Sequence, residues 1–255
     1  MSLQYALIGV EGNHDQALVG KILEKILGLQ KFDGLNSNLD SFWRKFIPTY
    51  PPKTGRLYAR LDMPSIFFND SLSIAIYAGQ GESLSQNLKV RLSDISLDSL
   101  LAFGIIADAD KKFPEDVAKT YAQEFQVVFP HFPETPGIVS VNSVRTGVFI
   151  LPDNVQQGVL ETLLLECGKV AYPEYLERAI SYINQFSETE QKSLKWKPFD
   201  REKALIATVV SVLKPGKTNQ VSLADNHWIS ETTYQNVQAV QKIVDFLKNL
   251  LDLTA

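Results

Sequence analysis

The chain has 255 residues, 45% of them hydrophobic, 21% charged and 10% aromatic, a composition that excludes intrinsic disorder and collagen-like or coiled-coil architecture. Twenty-five Lys and Arg stand against 29 Asp and Glu, a formal charge of −4, so bulk electrostatics would not coat this protein in nucleic acid. The one cysteine, Cys167, excludes a disulfide framework and a cysteine-rich zinc site.

The opening residues carry no basic leader and run straight into an apolar segment, and no apolar run reaches the ~18–20 residues of a membrane span. A soluble, cytoplasmic protein with no membrane partner is the expectation. Residues 5–10 (YALIGV) read as a strand buried on both faces, ending at Glu11-Gly12. Asp15 reads as a helix N-cap, because Ala17, Leu18, Ile22, Leu23, Ile26 and Leu27 then recur at helical spacing up to Gly28.

Residues 31–70 are irregular and rich in Pro, Gly and aromatics, with short strands expected at 56–61 and 64–69. A strand at 73–77, a helix from about 83 to 88 and a helical turn at 97–101 follow. The run AFGIIA at 102–107 is a strong buried strand ending in Asp108-Ala109-Asp110. Pro114 opens a helix to about 126. Strands are expected at 138–141 and 146–151 around a turn at 142–145, then a helix at 157–167. The alternation predicts an α/β fold with a mostly parallel sheet flanked by helices. After Gly168 only helices are expected, at about 173–186, 199–213 and 233–251. This divides the chain into an α/β domain at 1–168 and a helical C-terminal extension at 169–255.

Ligands of open α/β sheets bind beyond the carboxyl ends of the strands. Three strands here end in acid or amide, at Glu11-Gly12-Asn13, at Asp108 and Asp110, and at Asp153-Asn154. Parallel strands would bring all three to one edge, a set of hard oxygen donors suited to Mg²⁺. Alternate residues of an extended segment share a face, so Asp108 and Asp110 could face one ion. An Asp at a strand end also serves as a helix cap or loop residue.

Glu-Gly after the first strand and Asp-x-Asp after a later one together resemble the TOPRIM domain of topoisomerases, bacterial primases and overcoming-lysogenisation-defect nucleases. The matching residues are Val10-Glu11-Gly12-Asn13-His14-Asp15 and Ile105-Ile106-Ala107-Asp108-Ala109-Asp110. More narrowly, the chain resembles a family of uncharacterised prokaryotic TOPRIM-like proteins, through Pro152-Asp153-Asn154, Gly158 and Leu160-Glu161. Two departures stand out. The interval from Glu11 to Asp108 is long, which makes 31–70 a probable insertion, and Lys111-Lys112 follow the Asp pair.

The resemblance implies a Rossmann-like TOPRIM sheet and Mg²⁺- or Mn²⁺-dependent phosphodiester chemistry on DNA or RNA, that of a nuclease or phosphodiesterase. Asp108 and Asp110 would hold the metal. Glu11 would be the general acid/base or a further ligand, and Asp153 or Glu161 an additional acid. Lys111, Lys112, Arg145 and His14 are candidates to hold phosphate; solvated surface charge is their other reading. The alternative is a non-catalytic TOPRIM-like module binding a nucleic acid, nucleotide or protein.

Overall fold

Each continuous apolar run becomes a strand in the middle of one sheet. The computed structural model describes residues 3–46, 64–79 and 81–253. In chain order the strands are β1 (Gln4–Val10), β2 (Gln30–Lys31), β3 (Ser65–Phe68), β4 (Leu72–Ala78), β5 (Leu100–Asp108), β6 (Val139–Ser140) and β7 (Arg145–Leu151). They form one seven-stranded sheet of order β2-β3-β4-β1-β5-β7-β6. The central β4, β1, β5 and β7 run parallel. The edge strands β2, β3 and β6 pair antiparallel. This is a Rossmann-like α/β architecture, mostly parallel as expected.

Strand alternation divides the core in two. Ala6, Ile8 and Val10 of β1, Ala102 and Ile106 of β5, and Phe149 and Leu151 of β7 point into one cluster. Leu7, Phe103, Ile105, Ala107, Val148 and Ile150 point into the other. The second face is covered by α2 (Leu84–Ser93) and α3 (Pro114–Phe125) and by a 3-10 segment at Ser41–Phe46, which buries Trp43 and Phe46. The Trp43 indole donates to Ser73 Oγ at 2.9 Å. Within 31–70, the described residues therefore extend the sheet edge and fill its core. The strand expected at 64–69 is β3, and the one expected at 56–61 lies outside the described residues.

The first face is covered by α1 (Asn13–Lys25), α4 (Leu160–Ala171), α5 (Pro173–Ile183), α7 (Asp200–Leu213) and α10 (Gln238–Leu250). Short helices α6 (Glu188–Ser193), α8 (Asn219–Asp225) and α9 (Glu231–Asn236) complete the C-terminal part. The compositional change near 168–172 marks where strands stop. The hydrophobic core runs on through it, because Leu176, Ile206, Val244 and Leu250 share a cluster with Ile8 and Ile106. Glycines at the crossing let α10 lie close to the sheet: a Cβ at Gly104 would fall 2.4 Å from Leu250 Cδ2, and one at Gly147 2.8 Å from the Phe246 ring. Among the described residues no helix is long and apolar enough to cross a membrane.

Gly104→Ala is expected to cost about 1–3 kcal/mol in urea unfolding by overpacking. Placed in a Leu250→Ala background, the same change should cost measurably less, because the clashing methyl is gone.

Candidate metal and phosphate site

The parallel strands stop together. Register pairs Val10 with Ile106 and Asp108 with Leu151, so the residues just past β1, β5 and β7 share one edge. There the Asp108 backbone N–H donates to Glu11 Oε1 at 3.3 Å, joining the ends of β1 and β5. Gly12, in extended backbone, is the N-cap of α1. Asp15 is therefore not the N-cap that the helical spacing suggested. It sits in the first turn and reaches back, and its Oδ2 accepts the Gly12 N–H at 2.8 Å.

Asp108 performs the same service for a second helix: its Oδ1 accepts the Leu160 N–H at 2.8 Å, at the start of α4. Glu161 follows in that turn and is buried. His14 Nδ1 lies 4.0 Å from Glu161 Oε1. Two helix N-termini thus converge on the acids, and their positive ends favour negative charge there. The Tyr121 hydroxyl, from α3, hydrogen-bonds to Glu11.

Asp15, Glu11, Glu161 and Asp110 all act electrostatically on Asp108, so four carboxylates gather around a fifth. Burial raises the Asp108 carboxyl well above the carboxylate range, and the four neighbouring charges add to it. Asp15 is pushed up to about 7, by burial first and then by Glu11 and Glu161, against the opposing Gly12 N–H. Burial also raises Glu11, opposed by the Asp108 N–H, the Tyr121 hydroxyl and the Lys112 charge. Burial beside these acids raises the Tyr121 phenol too.

Asp110 is placed differently from Asp108. It has left the extended strand (φ 52°) and is exposed on the rim. Its N–H donates to Gly158 O at 2.8 Å and its carbonyl accepts the Gly158 N–H at 3.0 Å. Lys111 and Lys112 follow on the same loop, both exposed.

Two of the candidate residues are not brought to this cluster. Arg145 is the first residue of β7, at the opposite end of that strand from the acids. Its guanidinium binds the Asn249 carbonyl at 2.7 and 3.0 Å and pairs with Asp252 at 3.0 Å, so it pins the end of α10 and cannot reach a phosphate at the far edge. Asp153 is close in sequence to the edge, but its Oδ1 accepts the Val155 and Gln156 N–H groups and its Oδ2 pairs with Lys242 at 3.0 Å. Burial opposes its ionisation, yet the Gln156 N–H and the Lys242 ammonium win and hold it below its usual value. Of the two additional acids proposed, Glu161 is the one that joins the cluster. Sequence reasoning did not count Asp15 and Tyr121 as site residues. Asp15 had a signal, four residues after Glu11 in the Glu-Gly pattern, whereas Tyr121 had none.

A carboxyl whose pKa rises on folding holds its proton more tightly in the native state. Its contribution favours the fold on the acid side and is lost as pH rises through the folded value, here about 7 for Asp15. Asp15→Asn keeps an acceptor for Gly12 N–H and removes the charge. It should raise Tm at pH 8, by about 2–4 °C for each kcal/mol recovered. That gain should shrink toward pH 5, which thermal melts across this range would show.

No curated protein matches the chain. The crystal structure of a hypothetical protein from Pyrococcus horikoshii OT3 is similar at 18% identity, with 98% of each chain covered and a TM-score of 0.47. The C-terminal region of the OLD protein of Xanthomonas campestris pv. campestris is similar at 12% identity, covering 98% of this chain and 95% of that one, with a TM-score of 0.42. Residues 5–252, nearly the whole chain, match one protein family, and the chain belongs to it: the family described as "Protein of unknown function (DUF3226)".

Proposed function

We propose that this chain is a TOPRIM-type module for divalent-cation-dependent phosphodiester chemistry on nucleic acid, a nuclease or phosphodiesterase. The observation that carries the reading is the meeting of Glu11 and Asp108 at one sheet edge, joined by the Asp108 N–H, with Asp15 and Glu161 close enough to disturb Asp108.

The donor chemistry fits Mg²⁺ or Mn²⁺. The clustered groups are carboxylates, hard oxygen donors whose mutual repulsion a cation would relieve. Among the described residues no three His, Cys, Asp or Glu side chains form a ready-made cage. Mg²⁺ needs none, since it is commonly held by one or two carboxylates with water and substrate phosphate. Asp108 and Asp110 are the proposed ligands, with Glu11 as a further one. The bound ion would neutralise phosphate charge and stabilise the leaving oxygen.

The chain's own groups do the rest. Glu11 is partly buried and burial raises its carboxyl, which suits it to hold a proton and pass it on. The Tyr121 hydroxyl and the Asp108 N–H fix its orientation. Asp15 and Glu161 are positioning residues that set the local charge. Lys111 and Lys112 supply positive charge to meet phosphate, with His14 as a further hydrogen-bond donor.

A second reading, a binding module without turnover, is favoured by one observation. Asp108 Oδ1 and Asp15 Oδ2 are already engaged by backbone N–H groups, as structural caps would be.

Calorimetry followed by a cleavage assay separates the two readings. On the catalytic reading Mn²⁺ binds the wild type and not Asp108→Ala/Asp110→Ala, whereas Arg145→Ala and Asp153→Ala bind it normally. Binding should release protons, more of them as buffer pH falls from 8 toward 6, because raised carboxyls must ionise to accept the ion. Glu11→Gln should then lower phosphodiester cleavage by about 100-fold or more. Wild type that binds Mn²⁺ and cleaves no nucleic acid supports the binding module instead.

A further inference from the structure

Phe113 occupies a position its local structure does not ask for. It is the N-cap of α3, ahead of Pro114, with φ −71° and ψ 137°. N-caps favour Ser, Thr, Asp and Asn, whose side-chain oxygens accept first-turn N–H groups. Phe113 supplies no such bond, and its side chain is left 64% exposed. A single exposed apolar residue is ordinary on a protein surface. What distinguishes this one is a disfavoured residue at a cap, three residues after Asp110.

Its neighbours complete the pattern. Lys111 and Lys112 are exposed, and neither forms an ion pair among the described residues. The loop that carries them is fixed. Asp110 and Gly158 exchange two backbone hydrogen bonds, the Lys112 N–H donates to Ala109 O at 3.0 Å, and Gln157 Nε2 donates to the Lys111 carbonyl at 2.7 Å. Residues 108–113 thus carry, in order along one anchored loop, two carboxylates separated by Ala109, two ammonium groups and an exposed aromatic ring. These are the groups that meet a metal, a phosphate and a nucleobase face.

We propose that Phe113 is a base-stacking platform, and that the site takes single-stranded nucleic acid, with an unpaired base on the Phe113 ring and the adjoining phosphate against Lys111 and Lys112. The inference rests on the phosphodiester reading above and names its substrate class. A duplex keeps its base faces stacked inside the helix, so it has none to offer Phe113, whereas an unpaired strand does. Stacking on an aromatic tolerates any base, so the preference is for strandedness and not for sequence.

The test uses the full chain and three probes: a short oligothymidylate, an abasic oligomer of equal length and a duplex. Anisotropy should show wild type binding oligothymidylate about ten-fold more tightly than the abasic oligomer, in the range that base–aromatic stacking gives. Phe113→Ala should lose that about ten-fold preference, with abasic binding and Tm unchanged. Phe113→Trp should restore it, its indole emission quenched as oligothymidylate binds. Phe113→Ala binding oligothymidylate like wild type, or a duplex bound as tightly as the single strand, overturns the inference. Wild type that binds Mn²⁺ in calorimetry and none of the three probes overturns this inference and leaves the metal site standing. Wild type that binds neither overturns both.

Discussion

Where the parallel strands end, the Asp108 carboxylate lies within electrostatic range of four others, Asp15, Glu11, Glu161 and Asp110. Water is largely excluded from Asp15 and Glu161, so their charges cannot be spread into solvent. Much of the surrounding structure answers that constraint. The N-terminus of α1 presents its Gly12 N–H to Asp15, and the N-terminus of α4 presents the Leu160 N–H to Asp108. The β5 backbone presents another N–H to Glu11. What these donors leave uncompensated raises the Asp15 and Asp108 carboxyls, which makes the edge sensitive to pH.

The fold can bear this cost because the rest of the molecule is well packed. The central strands alternate into two apolar clusters, and helices or the segment around Trp43 close both faces. The C-terminal helices belong to that same packing. Gly104 and Gly147 bring α10 onto β5 and β7, and Arg145 ties the far end of β7 to Asn249 and Asp252. One end of the sheet is thereby fastened by an ion pair and hydrogen bonds, while the other carries the acids. Lys242, also from α10, holds Asp153 at the acidic edge, so one helix steadies both ends of β7.

The parallel sheet was legible because its strands are continuous apolar runs, and β1, β4, β5 and β7 lie where those runs lie. Short elements were harder. The helix α6 has a Ser187–Glu190 capping box but no apolar stripe, so periodicity passed it over. The helix expected at 233–251 is two helices, α9 and α10, because Val237 adopts an extended backbone between them. Helix α4 starts at Leu160 and not at 157, because Gly158 is drawn into its bridge with Asp110. At the site, Glu11 and Asp108 were legible from their places after apolar strands. Asp110 obeyed the spacing of Asp-x-Asp but not its alternation, since its left-handed backbone ends the strand. Arg145 and Tyr121 show the limit: which end of a strand a side chain serves, and which helix face meets the edge, depend on tertiary packing.

The proposed function requires a divalent cation at the edge formed by Glu11 and Asp108. Crystals grown with Mn²⁺, with diffraction collected at the manganese edge, test it most directly. The expected result is an anomalous peak within coordination distance of the Asp108 carboxylate, with an oxygen of Glu11 or Asp110 as a second ligand. Manganese bound elsewhere, with the Asp108 and Glu11 carboxylates still engaged only by backbone N–H groups, would contradict it.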